Sequence, residues 1–233
     1  MGLRELLCVV LGFSVLASAC KKDDDPEPTP PSPSSTATPA PSVRLNANLH
    51  MNMAQVPPLS ISSASAFFDG PNGLPTSAGD VYLNGTQLPY DFLFYNLSSQ
   101  STPGFSLASG ETNWMVTGGN GYPAFEHTMA APFPTLGSLT SAETIDKSEG
   151  YTLSVGEVSG ADSVRFQLDI LLIRTVAGNV TSYTFSPEDL ASIDAGSISV
   201  RVGAIKYESV THGGKRVQYE KERSISDWFT AVE

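Results

Sequence analysis

From Val43 to Met53 apolar and polar residues alternate without a break: Val43, Leu45, Ala47, Leu49, Met51 and Met53 against Arg44, Asn46, Asn48, His50 and Asn52. Successive side chains of a strand point to opposite faces, so this two-residue period demands a β-strand with one wet and one dry face. One strand cannot hide its own dry face. The chain must therefore build a sheet and lay a second layer over it. Charged residues make up only 16% of the chain, and there are 20 Gly and 17 Pro, which suits short strands and turns better than long helices.

Strand patterns recur over residues 62–68, 80–84, 88–96, 112–117 and 124–129. Asn84-Gly85 stands between two of them, and both residues tolerate positive φ, so a type I′ hairpin is predicted there. Gly118 to Gly121 supplies another turn. Pro132, Pro134 and Gly137 mark an internal boundary. Beyond it a strand covers 151–158, and Val164, Phe166, Leu168, Ile170 and Leu172 alternate down what reads as one long strand. Gly178-Asn179 turns it back into Val180–Phe185. Ser186, Pro187 and Asp189 have the order of a helix start, a cap followed by a first-turn proline and an acid, with Leu190 and Ile193 facing inward. Strands over 197–210 and 215–222 follow, joined through His212-Gly213-Gly214, and 224–232 reads as an edge strand or tail with Trp228 and Phe229.

The expected fold is thus all-β, built of antiparallel β-sandwich layers, with one short helix near 187–194. An N-terminal β region covers 43–135 and a second unit covers 136–233. The second unit, with about seven short strands and a helical turn before the penultimate hairpin, resembles an immunoglobulin-like or fibronectin-type sandwich.

The first forty residues give an address. Residues 6–17 form an apolar run of about a dozen, too short to span a bilayer, which takes roughly 20, and suited to a signal-peptide core. Ala17, Ser18 and Ala19 then lead to Cys20. Small residues directly before a cysteine resemble the lipobox of bacterial lipoproteins. That resemblance implies removal of residues 1–19, a diacylglyceryl group on the Cys20 thiol and acylation of the freed amine. Ordinary secretion with a bare thiol is the rival reading, since Ala17-x-Ala19 also fits the general cleavage rule. The next residues, Lys21, Lys22, Asp23, Asp24 and Asp25, make the start similar to that of Bacteroidota lipoproteins. In those proteins acids near the lipidated cysteine direct export to the outer leaflet of the outer membrane. A membrane is then a partner through the N-terminal lipid, with the body facing the cell exterior. Each buried CH₂ contributes about 0.8 kcal/mol, so two or three acyl chains anchor durably without a basic patch. Residues 20–42 read as the lipidated cysteine and a linker. Seven of the seventeen residues from 26 to 42 are proline, so the linker favours extended polyproline II with a reach of roughly 50 Å.

The formal net charge of −11 repels a phosphate backbone, so nucleic acid is excluded as a partner. The two cysteines, Cys8 and Cys20, cannot make a disulfide scaffold once the leader is gone.

Catalytic chemistry is sparse. His50, His127 and His212 lie far apart in sequence. Glu126-His127 is the one acid–histidine neighbour, yet adjacent strand residues face opposite ways and would not share an ion. Gly119-x-Gly121-x-x-Ala124 mimics a dinucleotide fingerprint but is followed by Pro123 and a strand rather than a helix. The acids Asp23–Asp25, Asp162, Glu188, Asp189 and Asp194 lack the spacing of a calcium loop. No cofactor and no metal site is expected. Asp162-Ser163-Val164 resembles the O-glycosylation motif of Bacteroidota secreted proteins, which implies Ser163 as acceptor. Trp114 reads as a core anchor. Tyr122, Phe125 and Phe133, if exposed together, would form a patch for a sugar or protein ligand. The leading expectation is a non-catalytic binding, adhesion or accessory module for a glycan or surface-protein ligand. The alternatives are a hydrolase assembled around Glu126 and His127, and a structural subunit of an envelope complex.

Overall fold

The structure is a computed structural model that describes residues 45–233. The leader, Cys20, residues 21–25 and the proline-rich segment lie outside the described residues. Within them the chain is all-β with one helical turn, as its alternation predicts.

The expected first strand is β1 (Ala47–Val56), which folds back on β2 (Leu59–Phe68) through ten paired residues. Ala47, Leu49 and Met51 are buried, whereas Asn48 and His50 are half-buried. β3 (Val81–Leu83) and β4 (Thr86–Leu88) flank the Asn84–Gly85 turn, whose φ values of 50° and 80° give the turn that matches strand twist. The strand expected over 88–96 is instead a hairpin of β5 (Tyr90–Asp91) and β6 (Phe94–Ser98), reversed at Phe92 with a φ of 52°. β7 (Thr112–Val116) and β8 (Phe125–Met129) follow, joined across the Asn120–Gly121 turn.

Four short strands come next: β9 (Thr135–Leu136), β10 (Thr144–Asp146), β11 (Tyr151–Ser154) and β12 (Val158–Ser159). They lead to β13 (Ser163–Leu168) and β14 (Leu172–Ala177). Here the sequence reading is corrected, because the alternation from Val164 to Leu172 is not one strand. Asp169 takes a φ of 54°, the chain reverses, and Leu172 pairs with Leu168. β15 (Ser182–Phe185) enters α1 (Pro187–Leu190), where Ser186 and Asp189 cap each other reciprocally. The helix stops at Leu190, short of the expected 194, although Leu190 and Ile193 are both buried as expected. The last two strands, β16 (Gly196–His212) and β17 (Lys215–Val232), are the longest, and β17 runs unbroken through residue 223, where two strands were expected.

Nine strands share one sheet in the order β14-β13-β16-β17-β1-β2-β6-β5, with β10 also paired to the end of β17. The sheet is mixed rather than wholly antiparallel, since β1 and β10 each lie parallel to β17. One core lies between this sheet and the four-stranded sheet β4-β3-β7-β8, and includes Leu49, Met51, Phe68, Leu83, Trp114 and Tyr219. A second core gathers Val164, Phe166, Val200 and Val202 of the long sheet under Leu153, Phe185 and Leu190. β16 and β17 run past both cores, so the hydrogen-bonded sheet is continuous between the N-terminal and C-terminal halves.

Candidate functional site

Adjacent residues of a strand face opposite ways, and on β17 this puts two buried charges back to back. Glu222 points to the wet face of the long sheet and Lys221 to the dry one, each 0% exposed.

Two guanidiniums and an imidazole, from three other strands, converge on Glu222. Arg201 Nη2 of β16 donates to Oε1 at 2.8 Å, His50 Nε2 of β1 to Oε2 at 2.9 Å, and Arg165 Nη1 of β13 to Oε2 at 3.3 Å. Gly203 makes room for the carboxylate, because a Cβ there would sit 2.1 Å from Glu222 Oε1. Burial by itself would raise the Glu222 pKa; the hydrogen bond from His50 and the charges of Arg201, His50 and Arg165 outweigh it and hold the group down at about 2. The network therefore joins four consecutive strands across the parallel seam between β1 and β17. Beside it Ser224 Oγ and Asn52 Oδ1 lie 3.0 Å apart, also buried.

Among the described residues Lys221 meets no carboxylate at hydrogen-bond distance. Its ammonium donates to the carbonyls of Gly110, Ala131 and Met129 at 2.7, 2.6 and 3.0 Å. It thereby ties the loop before β7 and the segment after β8 to the long sheet. Burial pulls its pKa down to about 8, against the opposing fields of Glu208 and Glu111.

His127 has a carboxylate partner, but it is Glu208 of β16, not its sequence neighbour Glu126, which is exposed on the other side of β8. The His127 ring lies 4.1 Å from that of Tyr219, and Tyr219 Oη is 2.9 Å from His212 Nε2. His212 stacks on Phe125 at 4.2 Å. Burial, with the His127 field second, lowers the His212 pKa, while burial and then Glu208 raise that of Tyr219. Among the described residues no hydroxyl or thiol nucleophile is hydrogen-bonded to His127. The cluster is an aromatic–imidazole seam that closes the four-stranded sheet onto β16 and β17.

Tyr122, Phe125 and Phe133 are buried, at 5, 8 and 7% exposure, so they do not form an open ligand patch; they fill the first core. Tyr122 donates its hydroxyl to the carbonyls of Asn46 and Asp69, and burial pushes its pKa up to about 12. Trp114 is 0% exposed. Ser163 opens β13, half-buried, opposite Ile205. Asp162 accepts from Lys206 Nζ at 2.8 Å and from the Tyr207 amide at 2.9 Å. Among the described residues no group of three or more His, Cys, Asp and Glu converges as a metal site requires.

Among the exposed apolar side chains are those of two hairpin tips that the sequence reading took for strand interior. One carries Phe92, 88% exposed, with Leu93 and Phe94; the other carries Ile170 and Leu171. At the opposite end of β6 from Phe92, a cleft of about 290 Å³ opens between the Asn84–Gly85 turn and the loop after β6. Leu83, Asn84, Thr86, Thr102, Pro103, Gly104, Phe105 and Ser106 line it, and none of them is ionisable. Asn84 Oδ1 is occupied by the Asn113 amide at 2.8 Å. The hydroxyls of Thr86, Thr102 and Ser106 have no protein partner among the described residues. Sequence reasoning used Asn84 only as a turn residue and missed the cleft, because its two walls come from segments that the fold alone brings together.

Set against protein-family models and against curated proteins, the chain matches none.

Proposed function

We propose that the chain is an exported, lipid-anchored, non-catalytic binding module, held on the outer membrane through Cys20 and displayed toward the exterior. The address rests on the apolar leader, the small residues before Cys20 and the Lys21–Asp25 run. The family reading, a lipoprotein of the Bacteroidota type whose C-terminal half is immunoglobulin-like, belongs to the same proposal, as does glycosylation at Ser163. One observation favours binding over turnover. The one histidine with an acid as its sequence neighbour, His127, is covered by Tyr219 and committed to Glu208, whereas an open cleft of uncharged groups lies elsewhere. Preformed concavities with a few convergent polar groups are where small ligands bind.

The anchor is tested by fractionation: Cys20→Ser moves the protein from the membrane to the soluble fraction. A mutant that stays membrane-bound refutes the anchor. The binding role is tested by capture from outer-membrane extracts and on a glycan array, with hydrolase substrates run in parallel. Turnover that disappears in His127→Gln would overturn it in favour of an enzyme.

A further inference from the structure

We infer that the cleft between the Asn84–Gly85 turn and the 102–106 loop is the ligand site, and that its ligand is an uncharged saccharide. This rests on the binding reading above and names the site and ligand class for it. A ligand bearing a carboxylate, phosphate or ammonium loses hydration on binding and needs an opposite charge to offset that loss. None of the eight lining residues can supply one.

The groups present match a different chemistry. The three hydroxyls of Thr86, Thr102 and Ser106 can each donate and accept, as sugar hydroxyls do, and the Asn84 carboxamide adds N–H donors. Phe105, half-buried against the first core, and Pro103 offer apolar faces on which the C–H face of a pyranose can lie. Backbone permits close approach as well. Gly104 has a φ of 87° and Gly85 of 80°, and a Cβ added at either would meet nothing within 4 Å, so both rims are bare toward solvent. At about 290 Å³ the cleft is the size for one or two sugar units. It faces away from the Phe92 tip along β6, leaving that tip outside the site.

The test uses the full chain in detergent, titrated by calorimetry with uncharged oligosaccharides (maltohexaose, cellohexaose, xylohexaose and mannohexaose) and with hexagalacturonate as the charged control. We expect at least one uncharged oligosaccharide to bind, and hexagalacturonate to bind at least tenfold more weakly. Phe105→Ala should weaken binding at least tenfold. Because Phe105 also packs on the core, Thr102→Val and Ser106→Ala serve as the folding-neutral variants, each expected to weaken binding threefold or more with an unchanged melting temperature. Saccharide binding untouched by all three substitutions overturns the site and leaves the binding reading standing. Preference for hexagalacturonate overturns the ligand class. No saccharide binding, with a protein captured from the outer membrane, overturns the inference alone. Neither kind of ligand overturns both.

Discussion

Lys221 and Glu222 are neighbours on one strand, yet each answers the problem of a buried charge differently. Lys221 is satisfied by three backbone carbonyls and Glu222 by two guanidiniums and an imidazole. Both groups have their hydrogen bonds, but their pKa values show which form the surroundings favour. Lys221 is drawn to about 8, toward its neutral form, because dipoles do not offset the loss of hydration. Glu222 is held at about 2, toward its charged form, because the hydrogen bond from His50 and the charges around it together do. A full set of hydrogen bonds and a stabilised charge are therefore separate properties. The dry-face lysine fastens loops, whereas the wet-face glutamate fastens strands.

Substitutions separate the two faces. Glu222→Gln leaves Arg165 and Arg201 without their counter-charge and should cost about 4 kcal/mol, read from urea unfolding midpoints at constant slope. Gly203→Ala drives a methyl into the carboxylate and should cost about 3 kcal/mol, most of it vanishing in a Glu222→Ala background. Full additivity of that pair would show that the glycine serves something other than the carboxylate. Lys221→Met keeps the volume but orphans three carbonyls, at about 2 kcal/mol. If it costs more than Glu222→Gln, the ranking of the two faces is reversed.

pH sharpens the contrast, since the two groups act in separate windows. The folded pKa of Glu222 lies below its ordinary 4.5, so its contribution is complete above that value and drains away as pH falls toward 2. The folded pKa of Lys221 lies below its ordinary 10.5, so the unfolded chain holds the proton more tightly. Stability therefore climbs as pH rises from about 8 to 10.5. Unfolding midpoints against pH should lose the acid slope in Glu222→Gln and the alkaline slope in Lys221→Met. The smallest effect is that of salt. At 1 M NaCl the partly exposed arginines are screened, costing the wild type a few tenths of a kcal/mol more than Glu222→Gln. Lys221→Met should respond to salt as the wild type does.

What the sequence revealed follows from where the physics is local. The alternation around Leu49, the Asn84-Gly85 turn and the Ser186-to-Asp189 cap are each set by neighbours in the chain, and each is found in the fold. The hairpin at Asp169 escaped because three loop residues keep Leu168 and Leu172 in phase, so the two-residue count runs straight through a reversal. β17 was read as two strands because Glu220 to Ser224 is polar on both faces, a pattern that makes sense only with Lys221 and Glu222 buried in opposite directions. Tyr122, Phe125 and Phe133 looked like a patch because aromatic content carries no sign of exposure. The partners of His50 and His127 lie 172 and 81 residues away and could not be read from spacing.

The position of β1 has a mechanical consequence. Any pull arriving along the segment before residue 45 reaches the folded body at Asn46, whose amide donates to the Arg216 carbonyl, and passes into β1 at Ala47. There the strand is gripped on one side by nine paired residues of β17 and on the other by ten of β2. Traction along that axis loads both ladders in shear, a whole row of bonds at a time, instead of unzipping them singly from an end. The chain thus receives stress at the interior of its largest sheet, where resistance to being drawn out is greatest.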